Sequence, residues 1–128
     1  MANTIYCGNR SFERKVAVYR RIVRNMCFHY RLLQDRCRIQ NMPNAEDTDR
    51  YNTQIKWYQL IRVVITRWMK ETPNDAAAVR AAFCFDSSVK PSDIQIAERF
   101  HMSTSTLSHV KAAFIDELMV EAARINLL

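Results

Sequence analysis

The sequence predicts an all-α fold. Three observations carry that expectation. The 128 residues include one glycine and three prolines, too few for the tight turns of an all-β chain. Apolar residues make up 48% of the chain, enough to bury a core without disulfides or metal. Those residues recur at steps of three and four over long stretches, which is the helical period. The length suits one domain, or one domain with a helical extension. A charged fraction of 25% is ordinary and argues against disorder.

The elements follow in order. Residues 1–10 read as a loose lead-in holding the only glycine, Gly8, with Ser11 as N-cap of the first helix. Phe12, Val16, Tyr19, Val23, Met26, Tyr30, Leu33 and Cys37 are then spaced alternately by four and three. That heptad stripe predicts one long basic helix over about 12–38. It serves either as a seam inside a bundle or as one strand of a two-chain coiled coil. Pro43 in Asn41-Met-Pro-Asn44 ends the helix, because the residue before proline disfavours the helical region.

A second helix over about 50–70 is capped by Thr48 or Asp49. Tyr51, Ile55, Tyr58, Ile61, Ile65 and Trp68 form its stripe, which Trp57, Leu60 and Val64 widen. So broad an apolar face predicts packing on two sides, with both tryptophans as core anchors. Thr72-Pro-Asn-Asp75 starts a third helix over about 73–85, with proline at its first position and an acid at its positive end. It buries Val79, Ala82 and Phe83. The polar stretch Asp86-Ser-Ser-Val-Lys-Pro91 separates a front half, residues 1–86, from a C-terminal module, residues 87–128.

That module carries the functional signal. Ser92 and Gln95 form a capping box ahead of a short helix, Asp93 to Phe100. Ser103 opens a second, longer helix from Thr104 that closes the chain. Ala97 is small enough for two helices to cross. His101 stands where the turn needs positive φ, a position that glycine usually fills. Met102 plugs the turn, and Leu107 and Val110 seat the second helix on the first. This is helix-turn-helix spacing. Ser103, Thr104, Ser105, Thr106, Ser108, His109 and Lys111 are the expected base-reading side chains, since short hydroxyls let a helix approach the groove closely.

The segment Ser92-DIQIAERFHMSTSTLSHVKAAFIDEL-Met119 resembles the helix-turn-helix of sigma-factor region 4. The whole chain looks like the small phage late-gene transcriptional regulators of the ArpU and RinA type, in which a helical front half precedes such a module. The likeness covers about a third of the chain well and the front half only in layout. It implies sequence-specific binding of double-stranded DNA and activation of phage late genes. It also implies contact with host RNA polymerase through the acids of the last helix, Asp116, Glu117 and Glu121.

Charge is unevenly distributed. Formal net charge is +6, which points to a polyanionic partner. Residues 9–38 hold nine basic side chains against two acids, whereas residues 73–128 hold five against seven. The first helix therefore has to supply much of the phosphate attraction, and Arg14, Lys15, Arg20, Arg21, Arg24 and Arg31 are the expected backbone contacts. Paired half-sites would call for a homodimer.

Cys7, Cys27, Cys37 and Cys84 lack metal-ligand spacing and read as free thiols. No apolar run is long enough for a secretion leader or a membrane span, so a cytoplasmic protein with no membrane partner is expected. His29, His101 and His109 are scattered, and neither a glycine-rich phosphate loop nor a nucleophile with a companion base is present. We therefore expect no enzyme, no metal and no cofactor. Two other readings stay open: a phage DNA-packaging adaptor of the small-terminase kind, and a helical protein that binds host polymerase without reading DNA.

Overall fold

The computed structural model describes residues 2–38 and 45–128. They form six helices: α1 (Ala2–Phe28), α2 (Tyr30–Arg38), α3 (Ala45–Glu71), α4 (Pro73–Ala82), α5 (Asp93–Arg99) and α6 (Thr104–Arg124). There is no strand among the described residues, and the fold is all-α. The break at Asn41–Asn44 and the side chains of Cys7, Ser11, Thr48, Asp49 and Tyr51 lie outside what is described.

The boundaries differ from expectation in instructive ways. The long first helix begins at Ala2, so Gly8 and Ser11 lie inside it. Ile5 stands seven residues before Phe12 and extends the heptad stripe by one repeat. A lone glycine costs a helix only about 1 kcal/mol. The same helix is interrupted at His29, dividing 12–38 between α1 and α2. There the His29 backbone N–H is shared between the carbonyls of Asn25 and Met26, 3.1 and 3.2 Å away, and the imidazole Nδ1 engages the Asn25 carbonyl as well. A side chain that competes for the ladder in this way loosens a helical turn. The second helix starts at Ala45 rather than at Arg50. Thr72 sits at the N-cap of α4, but its hydroxyl donates back to the Trp68 carbonyl at 3.3 Å instead of accepting from the new helix.

The third helix stops at Ala82, three residues early, and the manner of its ending recurs. At α4 the Phe85 N–H bonds the Arg80 carbonyl and the Cys84 N–H bonds that of Ala81. The equivalent pairs are Met102 to Ala97 with His101 to Glu98 after α5, and Leu127 to Ala122 with Asn126 to Ala123 after α6. These are Schellman endings, which require a left-handed residue just past the helix. Cys84, His101 and Asn126 supply it, at φ 57°, 57° and 60°.

The buried side chains form one cluster drawn from all six helices. α3 packs against α2, α4 and α6, which explains the width of its apolar face. Trp57 is fully buried there with Ile61, Val64 and Ile65. The heptad stripe becomes an intramolecular seam from Val23 onward, whereas Phe12 near its start is 66% exposed. Cys27, outside the stripe, is buried beside Val23, and burial pushes its thiol pKa up. Phe114 of α6 sits among rings, edge-on to Trp68 at 5.3 Å and within 6.4 Å of Phe83 and Phe85. α4 touches α3, α5 and α6 and so carries the C-terminal helices onto the core.

Candidate nucleic-acid interface

The helix-turn-helix is built from local chemistry outward. Ser92 accepts from the Gln95 N–H at 3.2 Å, and Gln95 Oε1 accepts from the Ser92 N–H at 3.0 Å, completing the capping box. Ile96 and Ala97 are buried on the inner face of α5. His101 takes the left-handed conformation at the turn, and Met102 packs against the core. Asn74 Nδ2 donates to the Phe100 carbonyl at 2.8 Å, fastening the turn to α4. Ser103 then caps α6, its hydroxyl oxygen accepting from the Thr106 N–H at 3.0 Å. Leu107 is fully buried beneath α6, and Val110 is half-buried.

With that face turned inward, Thr104, Ser105, Thr106, Ser108 and His109 are exposed. Two of the seven expected base readers also make contacts within the fold. The Ser103 hydroxyl is committed to the cap and also donates to Thr106 Oγ1 at 2.9 Å. Lys111 is half-buried, and its Nζ reaches both carboxylate oxygens of Asp93, at 3.2 and 3.3 Å. That pair ties the two helices of the motif together, so Lys111 is a strut first.

The basic side chains expected to hold phosphates are dispersed. Arg14, Lys15, Arg21, Arg24 and Arg31 are all exposed. Arg20 is paired: its guanidinium grips Asp116 of α6 with Nε at 2.7 Å and a second nitrogen at 3.3 Å, and this contact raises its pKa. Arg31, on α2, lies near enough to Asp86 to help lower that carboxyl's pKa, although the hydrogen bonds from Arg80 do most of the lowering. Of the exposed five, Arg24 lines a slot shared with the recognition helix. α1 packs along α6, and Arg24, Phe28, Lys90, Ser108 and Lys111 line a slot of about 450 Å³ between them. Lys90 stands 5.5 Å over the Phe28 ring.

The acids of α6 also have internal partners. Asp116 holds Arg20. Glu117 accepts from Arg67 at 2.6 Å and from the Trp68 indole N–H. Glu121 pairs with Arg124 within the helix at 3.2 Å. Asp116 and Glu117 thus pair with basic residues of α1 and α3, and Glu121 with a neighbour on α6 itself.

Sequence reading missed Lys90 and Phe28. The first lies in a polar loop and the second falls between stripe positions Met26 and Tyr30, and no local pattern brings them together. Among the described residues no cluster of histidine, cysteine or acid could hold a metal, and no helix is long and apolar enough to cross a membrane. No family model, curated protein or solved structure matches the chain.

Proposed function

We propose that this protein binds double-stranded DNA through the start of α6 and acts as a transcription regulator of the phage late-gene kind, without catalysing a reaction. One observation carries the reading: a fully capped helix-turn-helix offers Thr104, Ser105, Thr106, Ser108 and His109 to solvent on one helix beside a surface with unpaired cations. Hydroxyls and an imidazole on a helix of this placement fit base edges and phosphates, and the cations fit the backbone. A homodimer reading paired half-sites belongs to the proposal.

The test is a gel-shift series on fragments of the source genome at two salt concentrations, with Ser105→Glu beside the parent. One fragment held far more tightly than the rest, with the preference lost in Ser105→Glu, is the expected result. Equal and weak retention of every fragment, unaltered by Ser105→Glu, refutes sequence reading by α6. Light scattering of the bound and unbound protein reads the dimer.

A further inference from the structure

The slot between α1 and α6 has a composition that the recognition surface around it lacks. Its floor is apolar: Phe28, Ala82, Phe83, Ala112 and Ile115. Its rim carries Arg24 from α1, Lys90 from the loop ahead of α5, and Ser108 and Lys111 from α6, with no carboxylate in the lining. Lys111 is paired with Asp93. Arg24 and Lys90 have no acidic partner among the described residues, and Lys90 instead lies over the Phe28 ring. That ring is 41% exposed and is braced edge-on by Phe83 at 5.1 Å.

Two uncompensated cations and a hydroxyl lining one hollow attract a single compact anion. An apolar floor beneath them suits the carbon face of a group joined to that anion. A sugar-phosphate unit has both parts. Ser108 belongs to the slot and to the exposed row of α6, so an occupant here lies next to whatever that row contacts.

We propose that the slot seats one phosphodiester of the duplex backbone between Arg24, Lys90 and Ser108, with the adjoining deoxyribose against Phe28. This rests on the DNA-binding reading above and changes one role in it: Ser108 serves the backbone rather than a base. The clamp joins the basic helix to the recognition helix through one shared phosphate, which sets the depth and register of α6 in the groove.

The full chain is titrated with a mixed-sequence duplex over a range of salt, comparing the parent with Arg24→Gln, Lys90→Gln and the double variant. Each phosphate neutralised contributes about 0.9 to the slope of log K against log salt. Both cations on one phosphate predict that the double variant loses about 0.9 in total, with the singles sub-additive. The charge-keeping pair Arg24→Lys with Lys90→Arg restores the slope, and thermal melting of all the variants matches the parent because both side chains are exposed. A loss of about 1.8 in the double variant means two separate phosphates and overturns the clamp, as does no loss at all. A parallel melt with inorganic phosphate, free of DNA, identifies the source. Protection of the parent that the double variant lacks, together with a duplex salt slope identical in parent and double variant, assigns the slot to a free phosphate and overturns the backbone assignment. A parent that retains no duplex at low salt rejects the DNA-binding reading itself, an outcome distinct from a parent that binds while its variants behave identically.

Discussion

Replacing His101 by glycine should stabilise the protein. His101 is exposed, sits at φ 57°, and occupies the left-handed position of the Schellman ending between α5 and α6. A residue with a Cβ in that region is disfavoured by about 1–2 kcal/mol relative to its right-handed alternatives. Glycine removes that penalty, but its unfolded state is freer, which returns about 0.5–1 kcal/mol. The net expectation is a gain of about 0.5–1 kcal/mol, or roughly 2–4 °C in Tm for a domain of this size. His101→Ala isolates the cause, since it keeps the Cβ and loses only the imidazole, and it should not be stabilised. Urea unfolding followed by helical circular dichroism measures both. If His101→Gly is less stable than the parent, or if alanine matches glycine, the left-handed backbone is not where the energy lies. Duplex affinity should be nearly unchanged, because His101 lies outside α6.

Three further outcomes follow from the ion pairs. Glu117→Ala strips Arg67 of its partner and leaves the half-buried Trp68 N–H without an acceptor, so a loss of about 1–3 kcal/mol is expected in urea unfolding; Glu117→Gln, which keeps a carbonyl acceptor, should recover much of it. Asp86 has its folded pKa lowered, chiefly by the Arg80 hydrogen bonds, so its contribution is complete above the unfolded carboxylate range and is lost as pH falls through the lower folded value. With the side chain 60% exposed that contribution is under about 1 kcal/mol, and Asp86→Asn should flatten the acid limb of a stability-against-pH curve by no more than this. Arg20→Gln, whose guanidinium is held by Asp116, should leave the salt slope of duplex binding in place, in contrast to Arg24→Gln; equal losses in the two would show that Arg20 leaves Asp116 for the backbone.

What was legible in the sequence was local. The Ser92–Gln95 box, the Ser103 cap and the strained turn at His101 each depend on residues within four positions of one another, and each stands where its pattern put it. The broad apolar face of α3 was legible too, because a helix surrounded on several sides leaves little room for polar residues. What was not legible was non-local. The sequence around Lys111 does not show that Asp93, eighteen residues earlier, lies within 3.2 Å. The break at His29 was masked by a heptad pattern that runs through it without interruption. Beyond it Tyr30 packs on Tyr58 and Phe85, at 5.3 and 4.5 Å, contacts that only tertiary structure reveals. The early starts of α1 and α3 reflect how weakly composition marks a helix N-terminus when no serine or threonine cap precedes it.

Most acids of the C-terminal stretch are paired within the fold. An acidic C-terminal module beside a basic first helix suggests two partners of opposite sign. Yet Asp116 and Glu117 turn inward to Arg20 and Arg67, Asp93 turns to Lys111 and Asp86 to Arg80. Asp116 and Glu117 thus hold α6 against α1 and α3, while Asp93 ties α5 to α6. Arg14, Lys15, Arg21, Arg24 and Lys90 then remain without acidic partners among the described residues. Exposed charges act over only about 8 Å at physiological salt, so a polyanion docked on the surface responds to these nearby unpaired cations far more than to the net charge of the chain. On the proposed reading, Asp116 and Glu117 brace α6 while the basic helix packed along it offers the unpaired cations.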